Sequence, residues 1–315
     1  MAEKTLLDLY HRVNDRSSPR FVYHLGGDSG FFSEYNNMIL AILYCLDKKI
    51  RFSIYSKDAN FKYKEGWNDY FSPFCEEGGN FLHAYFNRRP NHRFKNSLLR
   101  KADTWLTAVF RSVNPRVLTT FDLWDALRSQ AHPSEYNFSE LGLKGDLRAI
   151  CRKLIEMTWV YNGKTAEEVQ RYKQSVNLPD RYIGFHIRGG DKFSEAEILG
   201  CRQYIGKAEQ LSDIRSAFVL TDDYAVIEEL EKNYPSWSFR TFCGKEERGY
   251  FHNTFKHEAP EVKKNRYIKL FASMDVLAEA ELFIGTFSSN PGMYLGMRMS
   301  PEKAYSIDIP DWRIW

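Results

Sequence analysis

The stretch Arg181-Tyr-Ile-Gly-Phe-His186-Ile-Arg188-Gly-Gly-Asp191-Lys192 decides the reading of this chain. An apolar run ends in a histidine and an arginine, then breaks at Gly189 and Gly190, which are followed by an acid and a lysine. Side chains alternate along a strand, so His186 and Arg188 share one face. Paired glycines let the backbone turn sharply where such a strand ends. The crevice outside the carboxyl ends of the strands is where an open α/β sheet binds its ligands. An arginine there suits a phosphate, because its planar fork donates two parallel hydrogen bonds. Taken alone, the segment reads equally well as a solvated charge cluster.

Two further runs end in the same way. Ser216-Ala-Phe-Val-Leu220 leads into Thr221-Asp222-Asp223, and Glu281-Leu-Phe-Ile284 into Gly285-Thr-Phe-Ser288-Ser289-Asn290. Each short apolar run is followed by a helical pattern, as in a parallel sheet with crossover helices. In such a sheet the three polar strand ends converge on one crevice. They are read together as a single site.

A chain of 315 residues can bury a large core and make two α/β domains or one large one. Its net charge of +3 is too small to argue for a nucleic-acid partner, although it leaves room for local basic patches. The 49 aromatic residues (23 Phe, 19 Tyr, 7 Trp) read mostly as core; Trp67, Tyr70 and Phe193 are candidates for stacking on a sugar, with packing the commoner role. Five scattered cysteines show neither zinc spacing nor a disulfide framework. They read as reduced thiols of a cytoplasmic protein. Residues 1–20 lack the apolar core of a signal peptide, and no run approaches the roughly 20 apolar residues of a membrane span.

Towards the N-terminus, Phe21-Val-Tyr-His-Leu25 reads as a strand, followed by Gly26-Gly-Asp-Ser-Gly30 and then by apolar residues at helical spacing from Tyr35 to Leu46. Arg51–Ser56 completes a βαβ unit, whose glycine turn is either structural or ligand-facing. A dinucleotide fingerprint is absent. Residues 96–175 read as mostly helical, with His132–Asn137 as a loop. Ala102, Trp105, Leu106, Val109 and Phe110 form one apolar stripe, and Leu147, Ile150, Cys151, Leu154 and Ile155 another. The break at Asn177-Leu-Pro179-Asp180 predicts a domain boundary, dividing residues 1–177 from 178–315.

These residues resemble the α1,6-fucosyltransferase family of core-fucosylating and nodulation-factor enzymes. The likeness rests on Gly184-Phe-His186-Ile-Arg188-Gly-Gly-Asp191-Lys192, Thr221-Asp222-Asp223, Tyr234-Pro-Ser-Trp-Ser-Phe239 and Thr286-Phe287-Ser288-Ser289. Tyr23–Phe31 resembles the family's glycine turn, with Gly30 in it, and Gly66-Trp67-Asn-Asp-Tyr-Phe71 a later element. The resemblance spans about residues 20–300 and is weakest in the middle helices. It implies a two-lobed, GT-B-like glycosyltransferase: an N-terminal α/β acceptor-side lobe with a helical segment, and a Rossmann-like C-terminal lobe for a GDP-sugar. It also implies an inverting reaction on a glycan or glycoconjugate hydroxyl, with no metal. The chain shows no counterpart of an anchor, a stalk or an SH3-like domain, which fits a minimal bacterial or viral enzyme acting in the cytoplasm.

By the same resemblance Arg188 holds the donor's β-phosphate, Ser289 lies near it, and Asn290 stands where the family has glutamine. His186, Asp191, Lys192, Asp222 and Asp223 match positions lining the donor or acceptor. The family's glutamate base falls on Ala196, with Glu195 and Glu197 flanking it; Glu195, then Glu197 or Asp191, is the candidate base. The acid expected to read guanine falls on Ser273, with Asp275 two positions away. That shift keeps another GDP-sugar or a UDP-pentose open as the donor. The missing glutamate keeps open a non-catalytic glycan- or nucleotide-binding role. Asp222-Asp223 also matches paired acids that bind Mg²⁺ beside a phosphate, a reading the resemblance disfavours.

Overall fold

The computed structural model describes residues 5–26, 29–78, 85–87, 96–188, 200–249 and 258–314. Contacts divide it into two compact units that meet in sequence between Val160 and Tyr161.

The first unit is built on a parallel sheet of β1 (Arg20–His24), β2 (Arg51–Tyr55) and β3 (Val117–Thr119), in the order β2-β1-β3. Helix α1 (Leu6–Arg16) starts at a capping box between Thr5 and Asp8. Helix α2 (Phe31–Lys48) joins β1 to β2 and buries Tyr35, Met38, Ile39 and Ile42, as the helical spacing predicts. Trp67 and Tyr70 are core residues: Trp67 stacks on Phe71 at 4.4 Å, and both Trp67 and Tyr70 are inaccessible to a sugar. Helices α3 (Ser97–Val113), α4 (Thr120–Ser129) and α5 (Leu147–Thr158) follow, with a hairpin of β4 (Tyr136–Phe138) and β5 (Leu143–Gly145) between the last two. Tyr136 and Asn137 therefore begin a strand, not a loop.

Helix α3 departs from the sequence reading. Its buried residues are Asp103 and Thr107, whereas Trp105, Leu106 and Val109 are exposed. Two hydrogen bonds hold this buried polar face. Tyr85 donates its hydroxyl to Asp103 at 2.9 Å, and Thr107 donates to the Asp103 carbonyl at 2.8 Å.

The second unit contains a five-stranded, wholly parallel sheet. Its strands are β6 (Ile183–His186), β7 (Ser216–Leu220), β8 (Ser238–Arg240), β9 (Leu282–Gly285) and β10 (Ala304–Ser306), in the order β10-β9-β6-β7-β8. Chain order reverses direction between β6 and β9, the topological switch point of a Rossmann-like sheet. Ile183, Phe185 and Ile187 face a core shared with α7 (Cys201–Leu211) and α8 (Ala225–Asn233). The opposite face packs on α9 (Pro260–Glu279), so closely that a Cβ on Gly184 would lie 2.8 Å from a Leu277 methyl. Helix α10 (Asn290–Arg298) follows β9 directly.

The Asn177–Asp180 break lies within this second unit. Helix α6 (Gly163–Ser175), which precedes it, packs along α9, and Lys173 pairs with Glu279 at 2.5 Å. The chain therefore passes from one unit to the other before α6. The tight fit of β6 on α9 gives a test. Gly184→Val adds three carbons where the nearest atoms leave no room, and overpacking of this kind costs about 1–3 kcal/mol. The expected outcome is a melting temperature several degrees lower in calorimetry.

Candidate functional site

Strand β6 fixes the centre of the site. Its register sets His186 opposite Leu220 of β7, and Phe185 opposite Ile284 of β9, with all three strands parallel. Their carboxyl ends thus open at one edge, about 10 Å across three strands at the usual spacing. The Ile187 N–H extends the ladder by donating to the Leu220 carbonyl at 2.9 Å. Ile187 is buried in the core, and Arg188 follows it two residues beyond the end of β6. His186 is buried and Arg188 half-buried at the edge.

On one side, Thr221-Asp222-Asp223 turns β7 into α8. The Asp223 N–H donates to the Thr221 hydroxyl at 3.2 Å, and Asp223 Oδ1 accepts from the Ala225 N–H at 2.9 Å. Asp223 is therefore a shaping residue of the helix start. The Asp222 carbonyl accepts from the Gly249 N–H at 2.8 Å, and the Glu247 carbonyl from the Tyr224 N–H at 2.9 Å. This second connection is anchored in turn by the Lys269–Glu247 ion pair from α9. Burial, reinforced by Glu247, pushes the nearby Cys243 thiol up to about 12. Cys243 is buried, with its thiol against the Gly244 carbonyl, and the raised value keeps it protonated near neutral pH.

On the other side, Thr286–Ser289 turns β9 into α10. Ser289 caps the helix: its hydroxyl accepts from the Gly292 N–H at 3.2 Å and donates to the Thr286 carbonyl at 2.8 Å. Only glycine fits at 292, where a Cβ would lie 2.0 Å from the Thr286 carbonyl oxygen. Asn290 opens the helix and is exposed. The N-terminal N–H groups and dipole of α10 thus start beside the end of β6, an arrangement favourable to an anion.

Asp308, which the sequence reading missed, holds this turn from below. It accepts from the Phe287 N–H at 2.9 Å and the Ser288 N–H at 3.2 Å, and from the hydroxyls of Ser288 and Ser306. Burial alone would raise its pKa, but these donors outweigh it and hold the carboxyl below its ordinary value. A lone acid 20 residues beyond the turn gives no local signal. Asp275 is likewise committed: it lies buried on α9 and pairs with Arg298 of α10 at 2.6 Å. Burial works against the Arg298 charge, yet Tyr294, Asp275 and Tyr161 hold it protonated above its ordinary value. Asp275 thus ties α9 to α10 and is placed as a structural ion-pair partner. Ser273, where the resemblance expects an acid, donates to the Lys269 carbonyl within the same helix.

Five predicted site residues remain. Asp191, Lys192, Glu195 and Glu197 lie outside the described residues. Gly30 belongs to the first unit, where it precedes α2 and a Cβ would meet nothing. The glycine this turn requires is Gly26, with φ of +105° and only 2.5 Å between an added Cβ and Ala59. Beside it, at the carboxyl end of β1, His24 Nε2 lies 2.6 Å from Asp58 Oδ1, a pair the sequence did not single out. Among the described residues, no group of His, Cys, Asp and Glu is arranged to hold a metal ion, and no helix is long and apolar enough to cross a membrane. A surface cleft of about 470 Å³ lined by Lys173, Asn177, Tyr182 and Glu279 lies at the amino end of β6 and includes none of the strand-end residues.

No protein-family profile and no curated protein matches the sequence. Among solved structures, the fold is similar to that of NodZ α1,6-fucosyltransferase soaked with GDP-fucose. That alignment has a TM-score of 0.51 at 14% identity, over 89% of this chain and 92% of that one. Fucosyltransferase NodZ from Bradyrhizobium aligns with TM-score 0.51 at 14% identity, covering 89% and 93% of the two chains. Its selenomethionine form gives 0.50 at 16% identity, over 89% and 92%. The likeness is one of fold, of the GT-B type that the sequence predicts.

The Asp308 cluster yields a pH test. Its folded pKa is lowered, so its contribution to stability is present above the ordinary value of 3.8 and is lost as pH falls through the lower folded value. Asp308→Asn is expected to cost about 1 kcal/mol at pH 7, a hydrogen-bond figure reduced for its exposure. Urea unfolding of both proteins across pH 7 to 2.5 should show the two stabilities converging only below about pH 4.

Proposed function

We propose that this chain is a glycosyltransferase that moves a sugar, fucose from GDP-fucose, to a glycan hydroxyl with inversion. The observation that carries the reading is topological: Arg188 follows β6 and α10 follows β9, and these two parallel strands are neighbours at the switch point. A nucleoside diphosphate placed there meets a guanidinium from one strand end and helix N–H groups from the next. The fold shared with NodZ, whose structure was soaked with GDP-fucose, supports the choice of donor.

The chemistry follows from the charge. As the acceptor oxygen attacks the anomeric carbon, the bond to the β-phosphate oxygen lengthens and negative charge gathers on the leaving diphosphate. A cation fixed at that oxygen binds the transition state more tightly than the ground state, which is what lowers a barrier. Arg188 supplies such a charge without a divalent ion. The acceptor's proton goes to a carboxylate. Glu195 is the first candidate, with Glu197 and Asp191 next; all three follow Arg188 closely in sequence.

The engagement of Asp275 by Arg298 favours a second reading at the base. If guanine is not read by this acid, the same phosphate site serves another GDP-sugar or a UDP-pentose. Thermal shift with GDP, UDP, ADP and CMP, each with and without EDTA, separates these. A ligand at a hundredfold over its dissociation constant stabilises the fold by about 2.7 kcal/mol. The expected result is a shift with GDP alone that EDTA leaves unchanged, followed by transfer from GDP-fucose. Arg188→Ala should lower kcat by about 10²–10³-fold, or roughly 2.7–4 kcal/mol. Activity within tenfold of wild type would remove Arg188 from that role, and an EDTA-sensitive reaction would remove the metal-free mechanism.

A further inference from the structure

Helix α3 wears its apolar face outward. Six of the large apolar side chains that stand exposed among the described residues belong to it, and Leu98, Trp105 and Val113 are exposed by 73%, 65% and 69%. Leu98, Ala102, Trp105, Val109 and Val113 recur at spacings of four and three, forming one continuous stripe along the 17-residue helix. The face turned to the protein is instead the polar one, closed by the Asp103 and Thr107 hydrogen bonds. A contiguous apolar stripe on an exposed face marks an interaction surface.

Charge identifies what it meets. Arg100 and Lys101 are exposed near the start of the helix, and Arg116 just beyond its end. Its one acid, Asp103, is buried and bonded to Tyr85. From Asn96 to Phe121 the chain holds four Lys and Arg against that single acid; Arg111 pairs with Asp122 of α4, and Arg100, Lys101 and Arg116 are the exposed cations beside the stripe. We propose that α3 is an interfacial helix that seats the protein on an anionic phospholipid bilayer. A tryptophan and leucines on one face with basic residues at the flanks are the features by which a helix lies in the headgroup region without spanning it. A second copy of the chain is a poorer occupant, since pairing two such helices brings like charges together. A nucleic acid engages the cations and gives the six apolar side chains no burial. The inference stands apart from the transfer reaction and does not depend on it.

Flotation with equimolar phosphatidylcholine–phosphatidylglycerol vesicles tests the proposal. The full chain is expected to float with these vesicles at low salt, to stay behind with pure phosphatidylcholine, and to be released as salt rises. Arg100→Ala combined with Lys101→Ala should weaken partition about thirtyfold, on the order of fivefold per lost charge. Leu98→Ser combined with Trp105→Ser should abolish it, and with it the blue shift of tryptophan emission on vesicle addition. Circular dichroism checks that both variants remain folded; because the two pairs remove different contributions, either one alone decides. The proposal is overturned if the wild type does not float or if either pair leaves flotation unchanged. A lipid-free dimer that Leu98→Ser with Trp105→Ser converts to monomer, or retention on heparin without flotation, overturns it equally.

Discussion

The parallel ladder of β9, β6 and β7 is the constraint on which the rest of this protein depends. Because the pairing runs Ile284–Phe185–Val219 in one line, three sequence segments far apart in the chain are forced to end together. No side chain has to reach far to build the site. The backbone register delivers Arg188 and the starts of α8 and α10 to one edge, and Gly184 locks the central strand onto α9 behind them. In the proposed reading, an anion at this edge would meet the Arg188 guanidinium and the first N–H groups of α10.

The polar residues at this edge divide into two kinds of work. Asp223, Ser288 and Ser289, with Asp308 beneath, shape the turns that aim the helix starts. Asp275 and Arg298 tie α9 to α10, so the helix whose N-terminus faces the edge is anchored at its far end. His186 ends strand β6, and Arg188 follows it by two residues. The resemblance assigns several of the shaping residues to the donor, and both roles are compatible for Ser289 and Asn290, since a helix cap is also where an anion is met.

How much was legible in the sequence follows from the range of the interactions. Strands β6, β7 and β9 were readable because buried parallel strands are short apolar runs bounded by turns, and each ends in an unmistakable polar cluster. The βαβ unit around α2 was readable for the same local reason. What the sequence did not show depended on distant partners. Asp308 serves a turn about 20 residues earlier, and Asp275 pairs with an arginine 23 residues later. The break at Asn177–Asp180 looks like a linker, but α6 before it already packs on α9. Helix α3 shows the limit of periodicity most clearly: the stripe is there, yet Tyr85 bonding to Asp103 turns the polar side inward. Amphipathicity fixes that a helix has two faces and leaves open which one the protein covers.

The central claim, that the β6–β9 switch point holds the donor's diphosphate, is tested most directly by a crystal structure with GDP bound. The account predicts the β-phosphate oxygens within hydrogen-bonding distance of the Arg188 guanidinium and of N–H groups in the first turn of α10, a separation of about 2.7–3.1 Å. A diphosphate bound at any other place, with Arg188 pointing away from it, would contradict the account.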